Sequence, residues 1–146
     1  HDVCIGDHCV LGMSTSVAGA CLIDDYAILS SSTIVQRGVR VGKFVLLQSG
    51  CRVKRDVIPY GIFGGNPAAY HGVNSKIITA VRPETDERLL RHIANAFRMI
   101  TAGNFSLEDA EIKIKEQIPL SPEIDDITKF ITTSENGVIR YAGEKE

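Results

Sequence analysis

The sequence predicts a parallel β-helix over residues 1–66 followed by a small three-helix domain over residues 67–146, a β + α architecture. Three observations carry the prediction. An aliphatic side chain returns every six residues through the first part, three six-residue units close one coil, and beyond the last repeat the apolar spacing becomes helical.

The repeat runs through Ile5, Leu11, Val17, Ile23, Leu29, Val35, Val41, Leu47 and Val53, nine matches without a slip. Two residues before each stands a small or β-branched side chain: Val3, Cys9, Thr15, Cys21, Ala27, Thr33, Val39, Val45 and Cys51. Positions two apart on a strand share a face, so both sets point inward and the residues between them turn a corner. Residues eighteen apart then stack, as Ile5 on Ile23 on Val41, giving about three coils that bury their aliphatic residues only against one another.

The last clean repeat gives way at Val57-Ile58-Pro59-Tyr60, where proline interrupts strand pairing, and Gly61 to Ala68 form a Gly/Pro-rich turn that leads the chain out. Pro83 to Glu87 read as a helix start, with Leu89, Ile93, Phe97 and Ile100 on one face and Gly103 as the stop. Ser106 with Asp109 resembles a capping box for a second helix reaching Gln117. Ser121-Pro122 opens a third, with Ile124, Ile127, Phe130 and Ile131 inward, and a tail around Val138 docks or frays.

Composition narrows the function. The 146 residues are 44% hydrophobic and 23% charged, with a formal net charge of −2. Nothing in this balance calls for nucleic acid or a membrane surface, and no apolar run approaches a membrane-spanning helix. The four cysteines form no CxxC pair and no histidine completes a zinc spacing, so no metal or redox cofactor is expected. Cys9, Cys21 and Cys51 fall at interior positions, as small apolar side chains in a reducing cytoplasm. The chain opens on His1 directly in repeat sequence, so further coils are expected upstream of it. An open coil end leaves strand edges unpaired and calls for association or for that upstream sequence.

Beyond the repeat, the specific stretches are His1-Asp2, Val17-Ala18-Gly19, Ile23-Asp24-Asp25-Tyr26-Ala27, Asp56-Val57-Ile58-Pro59-Tyr60, Gly72-Val73-Asn74, Asn95-Ala96-Phe97 and Gly137-Val138-Ile139-Arg140. In this order and spacing the chain resembles the C-terminal part of the UDP-N-acetylglucosamine O-acyltransferases of lipid A biosynthesis, a hexapeptide-repeat acyltransferase family. The resemblance implies a left-handed winding, which spacing alone does not give. It implies a cytoplasmic homotrimer with active sites between protomers. The implied reaction moves an acyl, here a hydroxyacyl, chain from acyl carrier protein to the 3-hydroxyl of UDP-N-acetylglucosamine.

That chemistry needs a base for the hydroxyl proton and a donor to the tetrahedral oxyanion. The resemblance puts His1 at the base and the Gly19 N–H at the oxyanion, with Asp2 orienting the imidazole or contacting the sugar. Asn74 matches the residue that meets the uridine, Lys76 and Arg82 are cations for the diphosphate, Arg37 lies at a sugar-contact position, and Ser49 at a position limiting acyl length. His8 and His92 read as solvated surface, while His71 beside the exit turn stays open. Arg37, Arg40, Lys43, Arg52, Lys54 and Arg55 are corner or outward candidates for docking an acidic carrier protein.

Several positions depart from the family pattern. Ala20, Gln36 and Pro67 replace histidines, Arg37 replaces a glutamine, and Lys76 replaces an acid ahead of a single Arg82. Each buried partner left unmet costs about 1–3 kcal/mol. Either the acceptor differs or the activity is altered or lost. Two alternatives stand beside the acyltransferase: an acetyl-CoA-dependent acetyltransferase, favoured by the Gly65-Asn66-Pro67-Ala68 turn, and a non-catalytic trimeric scaffold.

Overall fold

A six-residue unit is too short to satisfy its own backbone, so its hydrogen bonds must be found on the next coil. The computed structural model describes residues 1–102 and 104–143. Nine two-residue strands make up the coil: β1 (Cys4–Ile5), β2 (Val10–Leu11), β3 (Ser16–Val17), β4 (Leu22–Ile23), β5 (Ile28–Leu29), β6 (Ile34–Val35), β7 (Arg40–Val41), β8 (Leu46–Leu47) and β9 (Arg52–Val53). They stack into three parallel faces, β1-β4-β7, β2-β5-β8 and β3-β6-β9, as three coils of a left-handed parallel β-helix. The eighteen-residue register is as the repeat requires, with Ile5 beside Ile23, Ile23 beside Val41, and Leu29 beside both Leu11 and Leu47. Backbone N–H groups donate to the neighbouring coil, as from Val10 to Ala27 O (3.0 Å) and from Leu22 to Val39 O (3.1 Å).

Inside, Cys21, Ala27, Leu29, Val45, Leu47 and Val53 are fully buried. Each large aliphatic side chain so placed stabilises the stack by about 1.5–3 kcal/mol. Ile5 and Leu11 keep 47% and 44% of their surface, because no described residues lie over the first coil.

Every sixth residue along the coil takes a left-handed backbone: Asp2, His8, Ser14, Ala20, Tyr26, Ser32, Gly38, Phe44 and Gly50. Only two of these are glycine, so most corners carry a mild backbone cost that packing has to offset. At one corner the packing is aromatic. His8, Tyr26, Phe44 and Tyr60 stack with ring centroids 4.8, 4.9 and 5.5 Å apart. The six-residue aliphatic pattern gives no sign of this column, because its residues lie at turn positions.

The exit differs from the expectation of a turn over Gly61 to Ala68. β10 (Gly61–Gly64) continues the β2-β5-β8 face, parallel to β8, and β11 (Ala69–Val73) returns antiparallel to it. The turn proper is confined to residues 65–68, and the Asn66–Pro67 peptide is cis.

The three anticipated helices are preceded by a further short one, α1 (Ser75–Val81). Helix α2 (Glu87–Thr101) begins later than Pro83, at an Asp86 cap whose carboxylate accepts from the Leu89 N–H (2.9 Å). The Gly103 stop lies outside the described residues. Ser106 caps α3 (Leu107–Gln117) and Ser121 caps α4 (Pro122–Thr133), each accepting from the N–H three residues on. Ile93, Phe97, Ile100, Ile124, Ile127 and Ile131 form the shared apolar stripe, while Leu89 is half-buried. The tail docks, with Ile139 N–H on Asp56 O (3.0 Å) and Gly143 N–H on Tyr70 O (2.9 Å).

Candidate functional site

The coil geometry sorts the candidate residues by corner. His1, Gly19 and Arg37 precede β1, β4 and β7 and stack at the corner leading into that face, with Asp2 beside His1 in a left-handed backbone. The Ala20 N–H donates to His1 O (2.8 Å) and the Gly38 N–H to Gly19 O (3.0 Å), which fixes the spacing of the column. Gly19 does not take a positive φ, so its backbone would accept any residue. Space is what restricts it: a Cβ there would lie 3.0 Å from Arg37 Nη1 and 3.1 Å from His1 O. The Arg37 guanidinium therefore rests against the bare Cα of Gly19, beside His1. Among the described residues no backbone or side-chain acceptor receives the Gly19 N–H, and Arg37 is in no ion pair.

This corner can do specific chemistry. The corner gathers an unbonded backbone N–H, a guanidinium and an exposed histidine, the kinds of group that stabilise developing negative charge and move a proton. Sequence spacing reaches this arrangement directly, because residues eighteen apart stack.

Ser49 lies elsewhere, at the corner leading into the β3-β6-β9 face, where its hydroxyl is 3.3 Å from that of Ser31. Asn74 and Arg82 meet at the remaining corner, against the aromatic column, and Lys76 follows Asn74 by two residues on α1. Asn74 is buried; its side-chain amide donates to Phe44 O (2.9 Å) and its backbone N–H to Tyr60 O (2.9 Å). Here that amide holds the hairpin to the coil. Arg82 pairs with Glu123 (3.3 Å) and lies over the Phe44 ring, 4.8 Å from its centroid. Lys76 is exposed. One chain thus separates the three groups of candidates onto three corners.

Around Arg82 the buried Tyr60 hydroxyl donates to Asp126, and Lys43 approaches the same carboxylate at 4.0 Å. Burial first, then the Asp126 carboxylate, pushes the Tyr60 phenol well above its ordinary range, against a smaller opposing effect of Arg82. Of the basic docking candidates, Arg40 donates to Thr133 (3.0 Å) and covers the Phe130 ring, whereas Arg52, Lys54 and Arg55 stay exposed. His8 is exposed yet stacked on Tyr26, His92 is partly covered, and His71 is exposed beside Gly143. No group of three or more His, Cys, Asp or Glu among the described residues could hold a metal ion. No described helix is long and apolar enough to cross a membrane.

Known proteins resemble this architecture closely. A family model described as "Udp N-acetylglucosamine O-acyltransferase; Domain 2" matches residues 56–139. A UDP-N-acetylglucosamine acyltransferase from Bacteroides fragilis is 41% identical with a TM-score of 0.88, over 96% of this chain and 54% of that one. A UDP-N-acetylglucosamine acyltransferase from Francisella novicida is 27% identical with a TM-score of 0.86, over 96% and 51%. The protein named LpxA from Acinetobacter baumannii is 25% identical with a TM-score of 0.88, over 96% and 54%. The chain spans about half the length of these solved structures.

Proposed function

The chain belongs to the UDP-N-acetylglucosamine O-acyltransferase family, and from that premise we propose that it forms the C-terminal part of an enzyme acylating UDP-N-acetylglucosamine. The donor in this reading is a hydroxyacyl thioester of acyl carrier protein, the acceptor the sugar 3-hydroxyl, and the step the first of lipid A biosynthesis. The observation that carries the reading is the column in which His1, the unengaged Gly19 N–H and Arg37 meet.

His1 takes the 3-hydroxyl proton as that oxygen attacks the thioester carbon. The Gly19 N–H donates to the oxyanion of the tetrahedral intermediate, and the adjacent guanidinium adds positive charge. On collapse the carbon–sulfur bond breaks, and the imidazolium returns its proton to the departing thiolate. Imidazole suits this exchange because its ordinary pKa is near neutrality. Asp2 orients the imidazole or contacts the sugar.

Two observations support a homotrimer. Asn74, Lys76, Arg82 and Ser49 stand at other corners than His1, so a single cleft containing them all needs neighbouring copies. The β2-β5-β8-β10 face also presents Val10, Ile28, Leu46 and Ile62 outward in register, an apolar column suited to another subunit. Four free cysteines accord with a reducing cytoplasm.

The test is turnover by the full protein of a panel of acyl-carrier-protein thioesters with UDP-N-acetylglucosamine. Product with one chain length, lost by at least a hundredfold in His1→Ala, supports the assignment. No product with any chain length, or an undiminished His1→Ala rate, rejects it.

A further inference from the structure

Past the His1 corner the chain makes one more turn on the same edge of the coil. Arg55 lies there, between Val53, paired to Val35, and Val57, paired to Val41. Beside it opens a cavity of about 320 Å³ lined by Arg52, Lys54, Arg55 and Arg140, with apolar walls that include Ile139 and Tyr141. Among the described residues no carboxylate lines this cavity and none of the four cations is in an ion pair.

Arg140 comes to this cavity from the docked tail: its Nε donates to Ile100 O (3.1 Å), and its Nη2 is enclosed by the protein. Arg55 is set from the other side: its Nη1 lies 3.3 Å from where a Cβ on Gly137 would be, and Gly137 has φ +73°, a backbone that side chains rarely adopt.

Four cations lining one cavity, with no counter-ion among the described residues, suit an anion, and the planar fork of arginine matches phosphate oxygens in pairs. The apolar wall and the exposed Tyr141 ring suit an anion that carries an organic group. The volume is at the small end for ligand pockets, enough for the phosphate end of a larger molecule. We propose that this cavity binds a phosphate ester, its phosphate on Lys54 and Arg55, with Arg52 and Arg140 adding positive charge, and its organic part on Ile139 and Tyr141.

Two sources of that chemistry exist if the acyl-transfer reading holds, on which only their identity rests: the acceptor's diphosphate and the phosphodiester of the donor's pantetheine arm. Calorimetric titration of the full protein with UDP, with 4′-phosphopantetheine and with inorganic phosphate separates them. At least one ester should bind, and the Lys54→Ala/Arg55→Ala double variant should weaken it at least tenfold. The exposed Arg91→Ala control on α2 should leave it unchanged. Both replaced side chains are exposed, so folding should persist, which circular dichroism checks. UDP binding alone assigns the acceptor, phosphopantetheine alone the donor, and binding of both a shared phosphate subsite. Neither ester binding, or affinities that the double variant does not change, overturns the proposal. Binding is read without turnover, so an inactive protein with an intact site counts against the acyl-transfer reading and not against this one.

Discussion

The Ser134 hydroxyl donates a 2.7 Å hydrogen bond to Asp56 Oδ2 across 78 residues of sequence, and through it the last segment of the chain is fastened to the end of the coil. The other carboxylate oxygen accepts from the Arg40 backbone N–H (2.9 Å) and the Asn136 amide (3.3 Å), and Asp56 is wholly buried. Replacing it by alanine takes the acceptor from the Ser134 hydroxyl and the Arg40 N–H, while exposed Asn136 keeps its bond to Gly38 O (2.8 Å). We expect Asp56→Ala to lose about 3 kcal/mol, and Ser134→Ala about 1 kcal/mol because only one partner is withdrawn. Urea unfolding monitored by circular dichroism measures both. An Asp56→Ala midpoint equal to that of the parent protein would show that the carboxylate does not anchor the tail.

The sequence displays the inward half of the coil because that half is set by apolar burial, which has a fixed six-residue period. Ile23, Leu29 and Val53 are where their spacing puts them, and the column of His1, Gly19 and Arg37 follows from the same eighteen-residue rise. The capping side chains Ser106 and Ser121 were legible too, since a cap is a local interaction. What escaped the pattern depends on long-range contacts. The Gly61–Gly64 strand is rich in turn residues and forms because β8 offers it unpaired backbone groups. Helix α1 has seven residues, too few for a clear stripe. Asn74 reads as a ligand contact from its surroundings in sequence, while its amide is directed onto Phe44 by a fold that brings residues 30 apart together.

Cysteine accessibility gives a second test of the coil. Cys4 is exposed, Cys9 is half-buried, and Cys21 and Cys51 are fully enclosed. Burial pushes the Cys51 thiol up to about 11, and burial also raises that of Cys9. Reaction needs the thiolate, so raised and enclosed thiols should be inert near neutrality. Native protein treated with a disulfide reagent at pH 8 should modify Cys4 quickly, Cys9 slowly, and Cys21 and Cys51 only on unfolding. Rapid labelling of Cys51 would mean that the third coil opens in solution.

The tyrosines set a limit at high pH. Burial pushes the Tyr70 phenol up to about 12, offset in part by Arg98, and Tyr60 is raised further. In the unfolded chain both ionise near the ordinary value of about 10. The folded state therefore holds protons that the unfolded state gives up, and stability falls as pH rises. This contribution is complete below about pH 10 and is lost progressively through the interval from 10 to 12. Absorbance of tyrosinate should show Tyr60 and Tyr70 resisting ionisation until the chain unfolds. Tyr60→Phe should lose the Asp126 hydrogen bond at neutral pH and flatten the alkaline decline. Tyr60 and Tyr70 ionising near 10 with the fold intact would contradict these positions.

Gly19 and Arg37 make separable claims on the proposed reaction. Alanine at position 19 suits the backbone, and the added Cβ meets only the movable end of Arg37 and, at 3.1 Å, the carbonyl of His1. Stability should therefore change by less than about 1 kcal/mol. Activity should suffer more, because the guanidinium is displaced and the donor N–H shifts relative to the thioester; loss of one aligned donor costs about a hundredfold or more in kcat. Arg37→Ala alone should raise KM for the sugar nucleotide and lower kcat less. The double variant separates the two roles. If the Gly19 N–H donates to the oxyanion, adding Gly19→Ala to Arg37→Ala slows the enzyme again, since the shifted N–H still misses its target. A double variant no slower than Arg37→Ala leaves Gly19 with the task of making room for a guanidinium, and removes its N–H from the reaction.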